Sequence, residues 1–110
     1  RAVVVKDSDH ERMYVSGTAS IAPDGRTVHL NDTARQIELT MQVVRALIRK
    51  GRMDWNNTVR AIAYFKETDE FGLFDEYCKA ARITLPHIKI QADVCRDDLL
   101  FEIELDLLNK

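Results

Sequence analysis

Apolar and polar residues alternate along the last stretch of the chain. Leu99, Phe101, Ile103, Leu105 and Leu107 fall on one side of an extended segment, and Glu102, Glu104 and Asp106 fall on the other. The pattern predicts a half-buried strand that starts at the turn-forming pair Asp97-Asp98 and is interrupted only by Leu100 and Leu108. At the other end, Ala2 to Lys6 and Met13 to Ile21 read as two strands of a hairpin around the polar Asp7-Ser8-Asp9-His10-Glu11 turn. The side chains of Ser16-Gly17-Thr18-Ala19-Ser20 are small. That suits a bulge or a tight helix contact as well as a backbone that faces a ligand. Pro23-Asp24-Gly25 supplies turn chemistry after the strand.

Between these ends the period changes. Ala34, Ile37, Met41, Val44 and Ile48 recur at three and four residues, widened by Val43 and Leu47, which predicts a helix with one core-facing stripe. Thr33 and Gln36 fit a capping box at its start, and Gly51 stands where a left-handed C-cap would end it. Arg45, Arg49, Lys50 and Arg52 gather toward its C-terminus, where the helix dipole favours cations. After the loop Asp54-Trp55-Asn56-Asn57, Thr58 to Phe65 has apolar residues in both phases and reads as a strand buried on both faces. A second helix follows from Thr68 or Asp69 to Arg82, with Phe71, Phe74, Tyr77 or Cys78, and Ala81 inward. Leu85-Pro86 breaks the chain, and Ile88 to Val94 reads as a strand. The order is β-β-α-β-α-β-β over residues 1–110 as a single domain. It predicts an α+β two-layer sandwich with both helices on one face of a mixed sheet. The opposite face is left uncovered, so assembly with further copies or domains is expected.

Composition narrows the function. The 110 residues carry 16 basic and 18 acidic side chains, a net charge of −2, which gives no electrostatic footprint for nucleic acid or an anionic membrane. Cys78 and Cys95, in a chain with no signal-like apolar run, suit reduced thiols in the cytoplasm. Neither cysteine, nor any of His10, His29 and His87, falls in a zinc or iron spacing, so no metal and no cofactor is expected. The chain begins at Arg1 without a methionine and runs straight into Ala2–Val5, which leaves a preceding domain as an open expectation.

The candidate chemistry lies around the closing strand. Cys95, Arg96 and the in-phase pair Glu102 and Glu104 are enough for a site, although a solvated acidic face accounts for the carboxylates equally simply. Arg96 suits either a substrate carboxylate or a turn arginine paired with Asp97 or Asp98.

The order of elements, the strand Tyr14-Val15-Ser16-Gly17-Thr18-Ala19-Ser20-Ile21 and the closing Phe101-Glu102-Ile103-Glu104 resemble the YjgF/Rid (endoribonuclease L-PSP-like) family. That resemblance implies a chorismate-mutase-like fold and a homotrimer with ligand clefts between subunits. Ser16 to Ile21 together with Ala92-Asp93-Val94-Cys95-Arg96-Asp97-Asp98-Leu99-Leu100-Phe101-Glu102-Ile103-Glu104 is similar to the C-terminal half of chorismatases. Those enzymes release pyruvate from chorismate. Rid deaminases hold the substrate carboxylate with an arginine on the penultimate strand, and ungapped pairing puts His87 there. Where they have a Leu-Pro turn this chain has Cys95-Arg96, the chorismatase-like feature. By this resemblance Glu102 protonates the enol ether, with the charge of Glu104 helping to keep it protonated. Cys95 joins Glu102 in the catalytic pocket by lining the ring, although a buried inert thiol suits that residue equally well, and Ser16, Gly17, Thr18, Ala19, His87 and Arg96 contact a small carboxylate metabolite. The other activities it implies are an enamine or imine deaminase and a non-catalytic, carboxylate-binding trimer.

Overall fold

The computed structural model describes residues 2–94 and 96–109. Strands β1 (Ala2–Lys6) and β2 (Glu11–Ala19) are followed by α1 (Thr33–Lys50), β3 (Thr58–Phe65), α2 (Phe71–Ala81), β4 (Ile88–Gln91) and β5 (Phe101–Asn109). The strands form one sheet in the order β1-β2-β5-β3-β4. β4 runs parallel to β3 and every other pair is antiparallel, so the sheet is mixed, as the pattern predicts.

Both helices cover the same face. The core joins Met13 and Val15 of β2, Ala61, Ala63 and Phe65 of β3, and Phe101, Ile103, Leu105 and Leu107 of β5 to Ile37, Met41, Val44 and Ile48 of α1 and Phe74 and Cys78 of α2. Each Val, Leu, Ile, Met or Phe side chain so buried contributes roughly 1.5–3 kcal/mol through removal of its apolar surface from water, and the alanines contribute less. The Phe101 ring sits 5.1 Å from Phe65 and 5.5 Å from Phe74, which fixes the start of β5 against α2. Cys78 packs here as a small hydrophobe, and burial pushes its thiol up to about 11.

Several boundaries differ from the pattern for identifiable reasons. β4 stops at Gln91 rather than Val94 because its partner β3 ends at Phe65, whose carbonyl takes a last bond from the Ala92 N–H at 3.0 Å. β2 ends at Ala19, and Ile21 instead forms an isolated bridge with Thr27 across the Pro23-Asp24-Gly25 turn. Thr33 and Gln36 do not form a capping box. Asp32 is the N-cap, its carboxylate accepting from the Arg35 N–H at 3.1 Å. Thr33 Oγ1 donates instead to Glu70 Oε1 at 2.9 Å, tying α1 to the start of α2. Gly51 closes α1 at φ −84, and the left-handed residue is Arg52 at φ 61. What Gly51 supplies is room, since a Cβ there would overlap the end of the Met13 side chain.

β3 is buried on one face only. Thr58, Ala61, Ala63 and Phe65 are covered, while Val59 and Arg60 are exposed and Ile62 and Tyr64 are half-buried. The chain's helices all lie on the other side, so nothing in the described residues covers this one. Val3, Val5 and Ile88 on this open face are 59%, 47% and 58% exposed.

Candidate active site

The open face carries the chemistry. Because side chains alternate along β5, burying Phe101, Ile103 and Leu105 turns Glu102, Glu104 and Asp106 outward, where cross-strand register sets Arg60 beside Asp106, Ile62 beside Glu104 and Tyr64 beside Glu102. Arg60 donates from Nε to Asp106 Oδ2 and from Nη2 to Glu104 Oε2, both at 3.0 Å. The Tyr64 hydroxyl donates to Glu104 Oε1 at 2.5 Å. Glu104 is therefore held by a phenol and a guanidinium at once.

Glu102 is in the opposite situation. No described residue donates a hydrogen bond or a cation to its carboxylate. Burial, with the Glu104 charge next along the strand, raises its pKa above the ordinary carboxylate range. The hydrogen bond from Tyr64 and then the pairing with Arg60 outweigh burial at Glu104 and lower its pKa. Two carboxylates of one strand are thus driven apart, one toward the protonated acid and the other toward the anion.

The small-residue segment of β2 explains where Glu102 sits. Val15 pairs with Leu105 but Thr18 pairs with Ile103, so one extra residue is accommodated between them, and Ser16 and Gly17 both face out. A Cβ on Gly17 would lie 2.5 Å from Glu102 Oε2 and 2.9 Å from Cδ. The carboxyl group is seated directly over the Gly17 backbone, which only a residue without a side chain allows. The segment is therefore both a bulge and a backbone that approaches the candidate acid. An open groove of about 460 Å³, walled by Val3, Tyr14, Ser16, Arg60, Glu104 and Asp106, runs beside it.

The remaining candidates are placed as follows. Ser16 and Gly17 lie on the open face, and Ala19 stands opposite Glu102 in register. Thr18 turns into the core, its hydroxyl donating to the Ser16 carbonyl at 2.9 Å, and the buried Ser20 hydroxyl donates to the Val28 carbonyl at 2.8 Å. Both hydroxyls are spent within the chain. His87 lies on the helix side of the sheet, away from Glu102. Its ring packs edge-on against Phe74 at 4.9 Å, with Nδ1 3.0 Å from the Leu85 carbonyl and Nε2 3.7 Å from Asp75. Its parity decides this, because Ile88 and Ile90 take the open-face positions of β4 and leave His87 and Lys89 for α2. Arg96 pairs with neither Asp97 nor Asp98. Its guanidinium donates to the Gly25 carbonyl at 2.6 Å, pinning the turn before β5 to the turn after β2. Cys95 lies outside the described residues.

Arg60 and Tyr64 were not singled out from the sequence. Their in-phase spacing on β3 was visible, but only the β3–β5 register brings them to Glu104. Replacing Tyr64 with phenylalanine is expected to raise the titration midpoint of Glu104 while Glu102 stays above the ordinary range. Carboxyl carbon shifts followed against pH report both, and an unmoved Glu104 would show that the phenol does not hold it.

The comparisons with known proteins agree with this architecture. No family model matches the chain, and no curated protein does. Among solved structures, a chorismatase superposes with a TM-score of 0.83 and 26% identity over 97% of this chain. A Thermotoga maritima protein described as a candidate endoribonuclease superposes at 0.82 with 20% identity, covering 99% of this chain and 84% of its own. The chain has the YjgF/Rid fold. This Rid-fold chain spans 35% of the chorismatase's length, so it corresponds to one part of that protein. TdcF of E. coli, solved with bound serine, superposes on the Rid-fold chain at 0.77 with 17% identity, over 97% of this chain and 86% of its own. These neighbours match the resemblance read from Ser16–Ile21 and Ala92–Glu104. No helix among the described residues is long and apolar enough to cross a membrane.

Proposed function

We propose that this chain is a chorismatase-like domain that cleaves pyruvate from chorismate or a similar enol ether, with Glu102 as the general acid. The observation that carries the reading is the seat of Glu102: a carboxyl group over a glycine bulge, on an open face, with no cation partner among the described residues and a firmly anionic neighbour. Cleavage begins when the acid's proton goes to the terminal methylene carbon of the enol ether, which leaves an oxocarbenium ion. Water adds to the oxocarbenium carbon, the one bonded to the ether oxygen, and returns a proton to the carboxylate. The resulting hemiketal then breaks its ether C–O bond, giving pyruvate and a ring alcohol. Glu104, held as the anion, stabilises the cationic intermediate electrostatically.

A substrate with two carboxylates needs cations to hold it. On the open face Arg60 already serves Glu104 and Asp106. The reading therefore includes a pocket completed by another copy of the chain in a homotrimer, or by a preceding segment, docked on the apolar positions Val3, Val5, Ile88 and Ile90 of the same face. The test is pyruvate formation from chorismate, run on material whose mass in solution has been measured. Release by a trimer supports the proposal, and a folded trimer that releases none sinks it. TdcF's bound serine favours a second reading, a deaminase acting on a short 2-imino acid whose carboxylate occupies the same groove. Ammonia release from such an imine, without pyruvate from chorismate, would select it. Either activity suits a cytoplasmic protein.

A further inference from the structure

A second concavity, about 420 Å³, lies against the helix layer, on the side of the molecule away from Glu102. Gln42, Arg45 and Arg49 of α1 form one wall, Tyr77 and Arg82 at the end of α2 form another, and Trp55 in the connecting loop forms a third. Arg45 and Arg49 are four apart and so share a helix face. Arg82 ends α2 at φ 57, a left-handed position that glycine ordinarily fills.

These three arginines are set apart by lining one cavity, since Arg12, Arg52 and Arg96 also form no ion pair with a described carboxylate. Arg26, Arg35 and Arg60 each pair with a carboxylate, whereas no ion pair joins Arg45, Arg49 or Arg82 to any described carboxylate. Asp54 is the acidic residue on the wall, and its carboxylate is committed to the loop, accepting from the Asn56 N–H at 2.8 Å. The helix dipole explains a cation at one helix end. It does not explain why the C-terminal turns of both helices bring unpaired guanidinium groups to one cavity that also holds the chain's single tryptophan. Guanidinium groups bind phosphate oxygens in bidentate fashion, and half-buried aromatic rings offer stacking surfaces to planar bases. The volume is in the range of small-ligand pockets, roughly 300–1,000 Å³.

We propose that this concavity binds a nucleoside polyphosphate, with Arg45, Arg49 and Arg82 on the phosphates and Trp55 against the base. The site is independent of the chemistry at Glu102. Because Trp55 is the only tryptophan, base stacking reads directly as saturable quenching of its fluorescence. The probes are ATP and, in parallel, inorganic tripolyphosphate, with calorimetry confirming the fluorescence. ATP is expected to bind saturably, to quench Trp55 and to bind more tightly than tripolyphosphate. Arg49→Ala is expected to weaken it about 10-fold or more. Arg82→Gly should do the same while relieving the left-handed backbone, so its effect cannot be put down to misfolding. Arg26→Ala, remote and already paired, should leave binding unchanged. The proposal is overturned by the absence of saturable ATP binding at millimolar concentration, by binding no tighter than tripolyphosphate, or by equal losses in the Arg26 and Arg49 variants.

Discussion

Glu102→Gln is expected to lower pyruvate release from chorismate by about 10²–10⁴-fold, the usual worth of a positioned general acid, while the chain stays folded. The amide keeps the shape of the carboxyl group over Gly17 but has no proton to give to carbon. The parent's rate should fall as pH rises through the raised pKa of Glu102, because only the protonated form acts. Stability should move the other way in the variant. A carboxyl group whose folded pKa lies above its unfolded one contributes stability below the unfolded value and loses it as pH climbs through the folded value. Glutamine does not ionise beside Glu104, so at neutral pH the variant should melt no lower than the parent. Glu104 has the opposite sign. Its lowered pKa gives a contribution present above the unfolded value and lost as pH falls through the folded one, so its effect appears only on the acid side. A rate that survives the substitution, or that rises with pH in the parent, would sink the assignment.

The closing strand shows why part of the site was legible. Period-two alternation is a property of one segment, so the outward turn of Glu102 and Glu104 follows from burying Phe101 and Ile103. The fold class was legible on the same basis, since each element has its own period and the order of elements restricts how two helices can cover a mixed sheet. Pairing between strands is different. Nothing local to Thr58–Phe65 says that Arg60 and Tyr64 will meet Glu104 rather than water, because that depends on the register between β3 and β5. The same gap separates His87 from the site. Ungapped pairing with a family pattern put it near the substrate, but the parity of β4 turns it toward Phe74 and Asp75. Arg96 likewise found its partner 71 residues away, at Gly25, where no short-range rule would look.

Gln36 is the residue whose role departs furthest from what its spacing suggests, and its replacement by leucine is expected to cost about 2–6 kcal/mol, at roughly 1–3 kcal/mol for each of the two backbone groups it leaves without a partner. Its spacing from Thr33 suggests a helix cap, yet the side chain is fully buried. The amide nitrogen donates to the His29 carbonyl at 3.2 Å and to the Asp98 carbonyl at 3.0 Å, while its oxygen accepts from the Leu100 N–H at 2.8 Å. One side chain thereby ties two irregular segments together; the His29 carbonyl also accepts from the Asp32 N–H, so the Asp98 carbonyl and the Leu100 N–H are the two backbone groups that depend on Gln36 among the described residues. Leucine matches its bulk, so the loss isolates the hydrogen bonds from any cavity. Thermal melting should drop by roughly 10 °C or more. The turn held at Asp98 and Leu100 leads directly into Phe101 and Glu102, so the same substitution should loosen the seat of the candidate acid. Amide exchange at Leu100 and Phe101 should accelerate more than in the Phe65–Ala61 segment of β3. Uniform acceleration across the sheet would instead mean that Gln36 supports global stability alone and does not position the start of β5.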